Sequence, residues 1–347
     1  MDAKSDDEIR FERRGHAAIV TLNRPKALNA VTHAMVLALA AKLPEWEADP
    51  DVKAVIIQAE GRAFSAGGDI LDIYQAGRAG KPPVQFFADE YRLNAAIRNF
   101  GKPYVSLIDG IVMGGGVGVS LHGSHRVMGE RAQFAMPEVG IGFFPDVGGS
   151  YLLSRVKGAY GLYLGLTGNR IGPGDSLHAG LATHAVKSED LTAVEAAIVE
   201  TGDPDGALRD LCITPERQLN EADAISIALH FSMGSMNDVI SSLTRVAGYD
   251  EFAAATLHTL AKRSPTSLHV AFRQITYGEA LTMEECMKME FRILNRMLQG
   301  HDFYEGIRAA IVDKGDTPRW QPATLAEIDA AAIDAYFDPL PGGELEV

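Results

Sequence analysis

Apolar residues come in short unbroken runs through the first half of the chain and at helical spacing through the second. The runs at residues 16–22 (HAAIVTL), 52–58 (VKAVIIQ) and 104–108, with a shorter one at Val127-Met128, predict buried strands. Asn23-Arg24-Pro25, Asp49-Pro50 and Gly101-Lys102-Pro103 break the pattern between them. Thr32 is a capping hydroxyl before a helix from His33 to about Leu43, and Pro82-Pro83 opens another through Asn99. Strand and helix alternate, which predicts an α/β layer structure with crossover helices. Beyond about Tyr151 strands fade, and helices are expected at 192–201, 205–212, 220–231, 236–246, 250–263, 267–277, 282–299 and 303–313. Ser264-Pro265 reads as a capped helix start. Asp302 three before Glu305 reads as a capping-box start, with Gly300 stopping the helix before it. Residues 1–190 are thus expected to form an α/β core and 191–347 a helical region, with a Pro-rich tail from residue 316 wrapping the surface.

Two glycine-rich stretches interrupt the α/β half. Residues 61–69 read GRAFSAGGD, and residues 110–149 hold a triple glycine, Gly114-Gly115-Gly116, ahead of two acids, Glu138 and Asp146. The triple glycine opens an apolar segment read as a helix. N–H groups at a helix start lack intrahelical partners and sit at the positive end of the dipole, so they suit a developing oxyanion. Ala66, Gly67 and Gly68 offer a second set of such donors. The structural alternative for both stretches is close packing that only glycine permits. A dinucleotide fingerprint fails, because Val119 stands where the third glycine is required. Ser65 half-matches a nucleophile elbow, but Ala63 replaces its first glycine. Glu138 and Asp146 sit in apolar surroundings, where a carboxylate must be paired, capping or functional; Asp146 could cap a helix starting at Val147. Paired carboxylates suit acid–base or nucleophilic work. His122 and His125 fit a helix end better than catalysis, and none of the ten histidines has a metal-binding spacing.

The chain has 347 residues and a net charge of −14, which suits a globular protein with a large core and argues against a nucleic-acid partner. Two distant cysteines argue against a disulfide framework or a cysteine zinc site. The N-terminal MDAKSDDEIR lacks the apolar core of a secretory signal and the Arg/Ser pattern of a transit peptide. No apolar run is long enough to cross a membrane. A cytoplasmic protein is expected, or a mitochondrial one if the chain is a processed form.

Taken together, LNRPKALNAV (22–31), GRAFSAGGDI (61–70), YVSLIDGIVMGGGVGVSL (104–121) and FAMPEVGIGFFPDVGG (134–149) resemble the crotonase (enoyl-CoA hydratase/isomerase) superfamily, and the likeness runs on through 166–186, 264–268 and 300–314. The resemblance implies a spiral of ββα units with a helical C-terminal region. It implies an acyl-CoA thioester as substrate, with no metal or redox cofactor, no nucleic acid and no membrane partner, and it admits a homo-oligomer. It places the thioester carbonyl between the backbone N–H groups of Gly68 and Gly115. Hydratases of the superfamily carry a glutamate two residues after the triple glycine; here that residue is Gly118, and only Glu138 matches the family's acids. With the segment MPEVGIGFFPDVGG, this resembles the superfamily's 3-hydroxyisobutyryl-CoA hydrolase branch, in valine breakdown. There the match to Glu138 is catalytic, as nucleophile or general base, the match to Asp146 binds substrate, and the match to Glu90 lies at the acyl pocket. Lys26, Ala27, Leu28, Ala66, Gly67, Asp69 and Ile70 are expected around the substrate, with Lys26 near the nucleotide; Lys262-Arg263 read rather as solvated helix-end charges. The competing expectations are a hydratase or isomerase acting on another acyl-CoA, and a non-catalytic acyl-CoA-binding protein.

Overall fold

The structure, a computed structural model, describes residues 8–347; residues 1–7, which carry most of the acidic N-terminus, lie outside the described residues. The chain divides into two compact units that interleave along the sequence. The first is Met1–Asp69, Asp89–Ala135 and Arg170–Gln218; the second is Ile70–Ala88, Met136–Asn169 and Leu219–Val347.

The first unit contains the strands. They are β1 (Ile9–Arg14), β2 (Ala17–Leu22), β3 (Ala54–Ala59), β4 (Ala63–Ser65), β5 (Tyr104–Ile108), β6 (Ile111–Met113), β7 (His125–Met128), β8 (Gln133–Ala135) and β9 (His184–Ala185). A large sheet has the order β1-β2-β3-β5-β7-β9 and a small one β4-β6-β8. Among the described strand pairs only β1–β2 is antiparallel; Ile19 lies opposite Ile56, Ile56 opposite Val105, and Val105 opposite His125. Consecutive strands β3/β4, β5/β6 and β7/β8 go alternately to the large and the small sheet. Each pair followed by its connection is one turn of the spiral of ββα units that the resemblance implied.

Parallel strands buried on both faces read as continuous apolar runs, which is why β2, β3 and β5 were legible. One face of the large sheet carries Ala17, Ile19, Ala54, Ile56, Val105 and Leu107 at the two-residue spacing of a strand. On it pack Val194 and Ile198 of a helix at Leu191–Thr201 and Leu208 of a short one at Pro204–Leu208. The strands that the pattern hid have physical reasons for being hidden. β1 (IRFERR) is an edge strand, and charged side chains suit an edge that must not pair further. β4, β6 and β8 have three residues each, too few for any period to show.

The helix α1 (His33–Ala48) starts where expected, with Met35 N donating to Thr32 Oγ1 at 3.2 Å. Before it, Leu28 and Asn29 are both left-handed, with φ of 50° and 54°. Asn29 is fully buried; its Oδ1 accepts from Arg24 N (2.7 Å) and its Nδ2 donates to Glu60 O (2.8 Å) and Ala63 O (2.9 Å).

The second unit is helical. It opens with α2 (Ile70–Arg78), which the sequence pattern missed, and with the first residues of α3 (Val84–Arg98), whose positions from Asp89 on belong to the first unit. In the first unit, the triple glycine opens the buried helix α4 (Gly115–Gly118), which is four residues long. After β8 the second unit continues with α5 (Gly149–Ser154) and α6 (Tyr160–Thr167). Its centre is α13 (Pro265–Gly278), counting Pro173–His178 as α7, Leu191–Thr201 and Pro204–Leu208 as α8 and α9, and Glu221–Phe231, Met236–Val246 and Glu251–Leu260 as α10 to α12. Ser264 caps α13 as predicted, with Ser267 N at 3.1 Å. α14 (Met283–Met297) follows, and Thr282 and Glu285 form the capping box at its start.

The expected capping box at Asp302 is absent. The helix α15 (His301–Ile307) has Gly300 as its own N-cap, and Asp302 instead accepts from Ser264 Oγ at 2.6 Å and Gln321 N at 2.7 Å. Glu305 pairs with Arg308, and residues 308–312 continue as a wider π turn rather than as α-helix. The tail is pinned by buried Trp320, Ile333 and Leu345, with Trp320 Nε1 donating to Lys262 O at 3.2 Å.

Asn29 holds three backbone groups from the interior, and removing its amide leaves them unsatisfied. Asn29→Ala is expected to lower the unfolding free energy by about 3 kcal/mol, measured by urea denaturation.

Candidate active site

In the small sheet β4 and β6 are parallel neighbours, so their C-terminal ends lead to the same place. β4 runs out into Ala66-Gly67-Gly68-Asp69 and β6 into Gly114-Gly115. The first stretch is tied to the segment before α1: Ala66 N donates to Leu28 O (2.9 Å), Val31 N to Gly67 O (2.8 Å) and Asp69 N to Val31 O (3.1 Å). Asp69 also accepts from the Arg24 guanidinium at 3.0 Å. These bonds leave out Gly68 N. Gly115 N stands in the first turn of α4, where no intrahelical acceptor exists.

Gly115 packs closely against Gly68 and Glu90. A Cβ on Gly115 would lie 2.8 Å from Glu90 Oε1 and 3.3 Å from Gly68 N. Gly114 adopts φ 46°, ψ −125°, a conformation closed to other residues. A Cβ on Gly116 would meet Ser65 Cβ at 2.7 Å and Ser65 O at 2.8 Å. Ser65 is therefore a buried packing partner, and its Oγ faces Gly67 N at 3.4 Å; it does not stand as an exposed nucleophile. The structural reading of the glycines holds here: Gly115 and Gly116 sit where an added Cβ would crowd Glu90, Gly68 and Ser65.

The other expected contact residues of this unit gather at the same edge. Lys26 and Ala27 are exposed in a 3₁₀ turn at Pro25–Ala27, and Leu28 is half-buried. Lys26 makes no ion pair among the described residues. Ala66 is exposed, Gly67 buried, and Gly68 and Asp69 half-buried, while Ile70 opens α2 in the second unit. His122 is buried, and His125 stacks on His184 with ring centroids 5.8 Å apart and bonds Asp205, which gives it a structural setting.

The second unit brings the acids together. Glu138 starts a 3₁₀ turn, Glu138–Ile141, closed by Phe143 N donating to Glu138 O at 3.1 Å. Its side chain is 6 % exposed, and Oε2 is buried with no hydrogen-bond partner among the described residues. Burial pushes its carboxyl well above the ordinary range, with the neighbouring charges of Asp146 and then Glu290 adding to the rise against its own backbone N–H. An ionisable group perturbed in this way is a functional candidate. Asp146, also buried, does not cap a helix at Val147. α5 begins at Gly149, and the Asp146 carbonyl accepts from Gly149 N at 2.7 Å in a tight turn. Arg263 is not a solvated helix-end charge: its guanidinium is half-buried, Nη2 donates to Thr167 O, and an added Cβ on Gly140 would lie 2.8 Å from its Nη1.

The acid that the pattern missed is Glu290. It is fully buried on α14 and accepts from Gly148 N (2.8 Å), Ser150 N (2.9 Å) and the Ser150 hydroxyl. Burial raises it to about 8 against those hydrogen bonds, with Asp146 adding to the rise. A signal existed in the sequence: Met283, Cys286, Met287, Glu290, Ile293, Leu294 and Met297 make one buried stripe, and a lone glutamate within an apolar helical stripe needs a partner.

The sequence profile of the enoyl-CoA hydratase/isomerase family matches residues 17–337. The chain belongs to that family. Among curated relatives, it is 42% identical over 359 residues to 3-hydroxyisobutyryl-CoA hydrolase, mitochondrial, of Danio rerio, covering 100% of this chain and 94% of the relative. It is 39% identical over 358 residues to the Homo sapiens protein of the same name, covering 98% and 91%. Among solved structures, a carnitinyl-CoA dehydratase of Mycobacterium thermoresistibile has a TM-score of 0.92 at 40% identity, covering 98% of each chain. An enoyl-CoA hydratase of Rhodobacter sphaeroides has a TM-score of 0.88 at 37% identity, covering 98% of this chain and 100% of that one. The family carries the crotonase fold, and the spiral described above is that fold. Among the described residues, no helix is long and apolar enough to cross a membrane.

Two predictions follow from the packing of this enoyl-CoA hydratase/isomerase family member. Gly115→Ala overfills the gap between Glu90 and Gly68 N, and a stability loss of about 1–3 kcal/mol is expected in chemical denaturation. Burial raises the Glu290 carboxyl from its ordinary 4.5 to about 8 in the folded chain. Between those values the folded state holds a proton the unfolded state lacks, so this group's contribution to stability falls as pH rises. Denaturation midpoints of Glu290→Gln should show a flatter slope than the native protein across that interval.

Proposed function

We propose that the protein hydrolyses the thioester of 3-hydroxyisobutyryl-CoA to 3-hydroxyisobutyrate and coenzyme A, a step of valine breakdown. The observation that carries this reading is the buried acid Glu138 with no second glutamate at position 118. Glu138 stands in apolar surroundings with its carboxyl raised, while position 118, where a hydratase of the family would carry a second glutamate, is a buried glycine of α4. Addition of water across a double bond by two glutamates lacks one of its acids here. The curated relatives named as hydrolases over nearly the full length support the same choice. The cytoplasm is the compartment proposed for the reaction, or the mitochondrial matrix if the chain is a processed form; the names of the eukaryotic relatives carry the word mitochondrial.

In this reading the thioester carbonyl oxygen accepts from Gly68 N–H and Gly115 N–H. Donors held ready where charge develops are each worth about 3–4 kcal/mol of barrier. Glu138, ionised, either attacks the carbonyl carbon to give an anhydride or takes a proton from the attacking water. The C–S bond then breaks, and coenzyme A leaves as thiolate and picks up a proton; in the anhydride route water next cleaves the acyl–Glu138 bond, which releases 3-hydroxyisobutyrate and restores the Glu138 carboxylate. Asp146 and Glu90 orient the 3-hydroxyl and the water. Lys26, with the backbone of Ala27, Leu28, Ala66, Gly67, Asp69 and Ile70, serves the coenzyme A moiety, which needs local positive charge on a chain of net charge −14.

The second reading is a hydratase or dehydratase acting on another acyl-CoA, favoured by the names of the two solved structures. A thiol-detection assay with 3-hydroxyisobutyryl-CoA and crotonyl-CoA side by side separates them. Free thiol is expected from the first and none from the second; hydration of crotonyl-CoA without thiol release would overturn the proposal. Glu138→Gln is expected to slow cleavage by about 10²–10⁴-fold while leaving acyl-CoA affinity intact in calorimetry. Because the working form of Glu138 is the carboxylate, the native rate should rise with pH through its elevated pKa. A rate already flat from the ordinary carboxylate range upward would remove Glu138 from this role.

A further inference from the structure

We propose that Glu290 is a positioning residue that aims the Asp146 carboxylate by pinning the turn behind it. The inference rests on the reading above, in which Asp146 orients the substrate. The turn Asp146–Val147–Gly148–Gly149 has φ of 50° at Val147 and 85° at Gly148, closed by Gly149 N donating to Asp146 O at 2.7 Å. Positive φ at both central residues is the mirror-image form of a type I turn, which glycine and asparagine normally fill. A β-branched residue there is a genuine outlier, and a strained backbone of this kind, at about 1–3 kcal/mol, persists only where the surroundings over-determine it.

The surroundings do so on both sides of Asp146. Behind it, Glu290 takes the N–H groups of Gly148 and Ser150 and the Ser150 hydroxyl. Ahead of it, Gln274 of α13, also fully buried, donates its amide to Pro145 O at 2.6 Å. The Val147 side chain is itself 1 % exposed and packs in the interior, which explains why the residue is not glycine. Relaxing the turn would rotate the Asp146 Cα–Cβ direction together with the peptide planes on either side of it.

A simpler role for Glu290 is to cap α5. Caps are ordinarily local serine, threonine, aspartate or asparagine side chains, and the N-cap here, Gly148, has none to offer. Capping alone predicts lost stability with unchanged turnover per folded molecule, whereas positioning predicts lost turnover that depends on Asp146.

A double-mutant cycle of native protein, Asp146→Asn, Glu290→Gln and the double variant distinguishes them, with kcat for 3-hydroxyisobutyryl-CoA normalised to folded protein. Glu290→Gln is expected to lower kcat about tenfold with KM changed less, and to change kcat by less than about twofold once Asp146 is gone. Native kcat in Asp146→Asn would overturn the role given to Asp146 and the inference with it. A loss in Asp146→Asn together with an equal Glu290→Gln factor in both backgrounds would overturn the inference and leave the role of Asp146 standing. Ser150→Ala removes one of the three bonds and serves if Glu290→Gln does not fold. It is expected to lower kcat about threefold only when Asp146 is present, and an unchanged kcat sinks the proposal.

Discussion

Like charges taken into an interior must be neutralised or supplied with donors, and the second unit is arranged around that constraint. Glu138, Asp146 and Glu290 are all buried, and each of the other two raises the cost of ionising Glu138. The structure treats them differently. Glu290 receives three donors from one turn and becomes part of the scaffold. Glu138 has no hydrogen-bond partner at Oε2 among the described residues, which suits the catalytic role proposed for it. Neighbouring carboxylates thus acquire separate roles through hydrogen bonding rather than through distance along the chain.

The first unit meets the opposite problem, which is to keep donors available. Backbone N–H groups in a folded chain are nearly always spent on carbonyls. Here Gly68 is passed over because Val31 pairs with the peptide groups on either side of it, and Gly115 is passed over because it stands in a helix's first turn. Parallel pairing of β4 with β6 puts the two stretches side by side, and binding a shared thioester oxygen is the role proposed for them.

Much of this was legible in the sequence, and what was not had physical causes. Strands buried on two faces announced themselves as apolar runs, and Thr32 and Ser264 announced helix starts. The glycine stretches and Glu138 could be singled out because their residue types make little sense as ordinary core. Three-residue strands carry no period, and the charged edge strand β1 reads as surface. Asp302 and Glu305 imitate a cap because the local spacing is right, yet Ser264, far back in the chain, claims Asp302, and Arg308, one turn on, claims Glu305. Glu290 was hidden for a similar reason: its partners lie about 140 positions earlier in the chain.

The triple glycine also constrains how the gene for this chain can vary. Every missense change at a glycine codon adds a side chain, and here three successive codons refuse one for three unrelated reasons. Gly114 refuses on backbone conformation, Gly115 because of Glu90 and Gly68 N, and Gly116 because of the Ser65 backbone and side chain. A compensating change that relieves one does nothing for the other two. Substitution at any of the three is therefore expected to cost stability, each for its own reason.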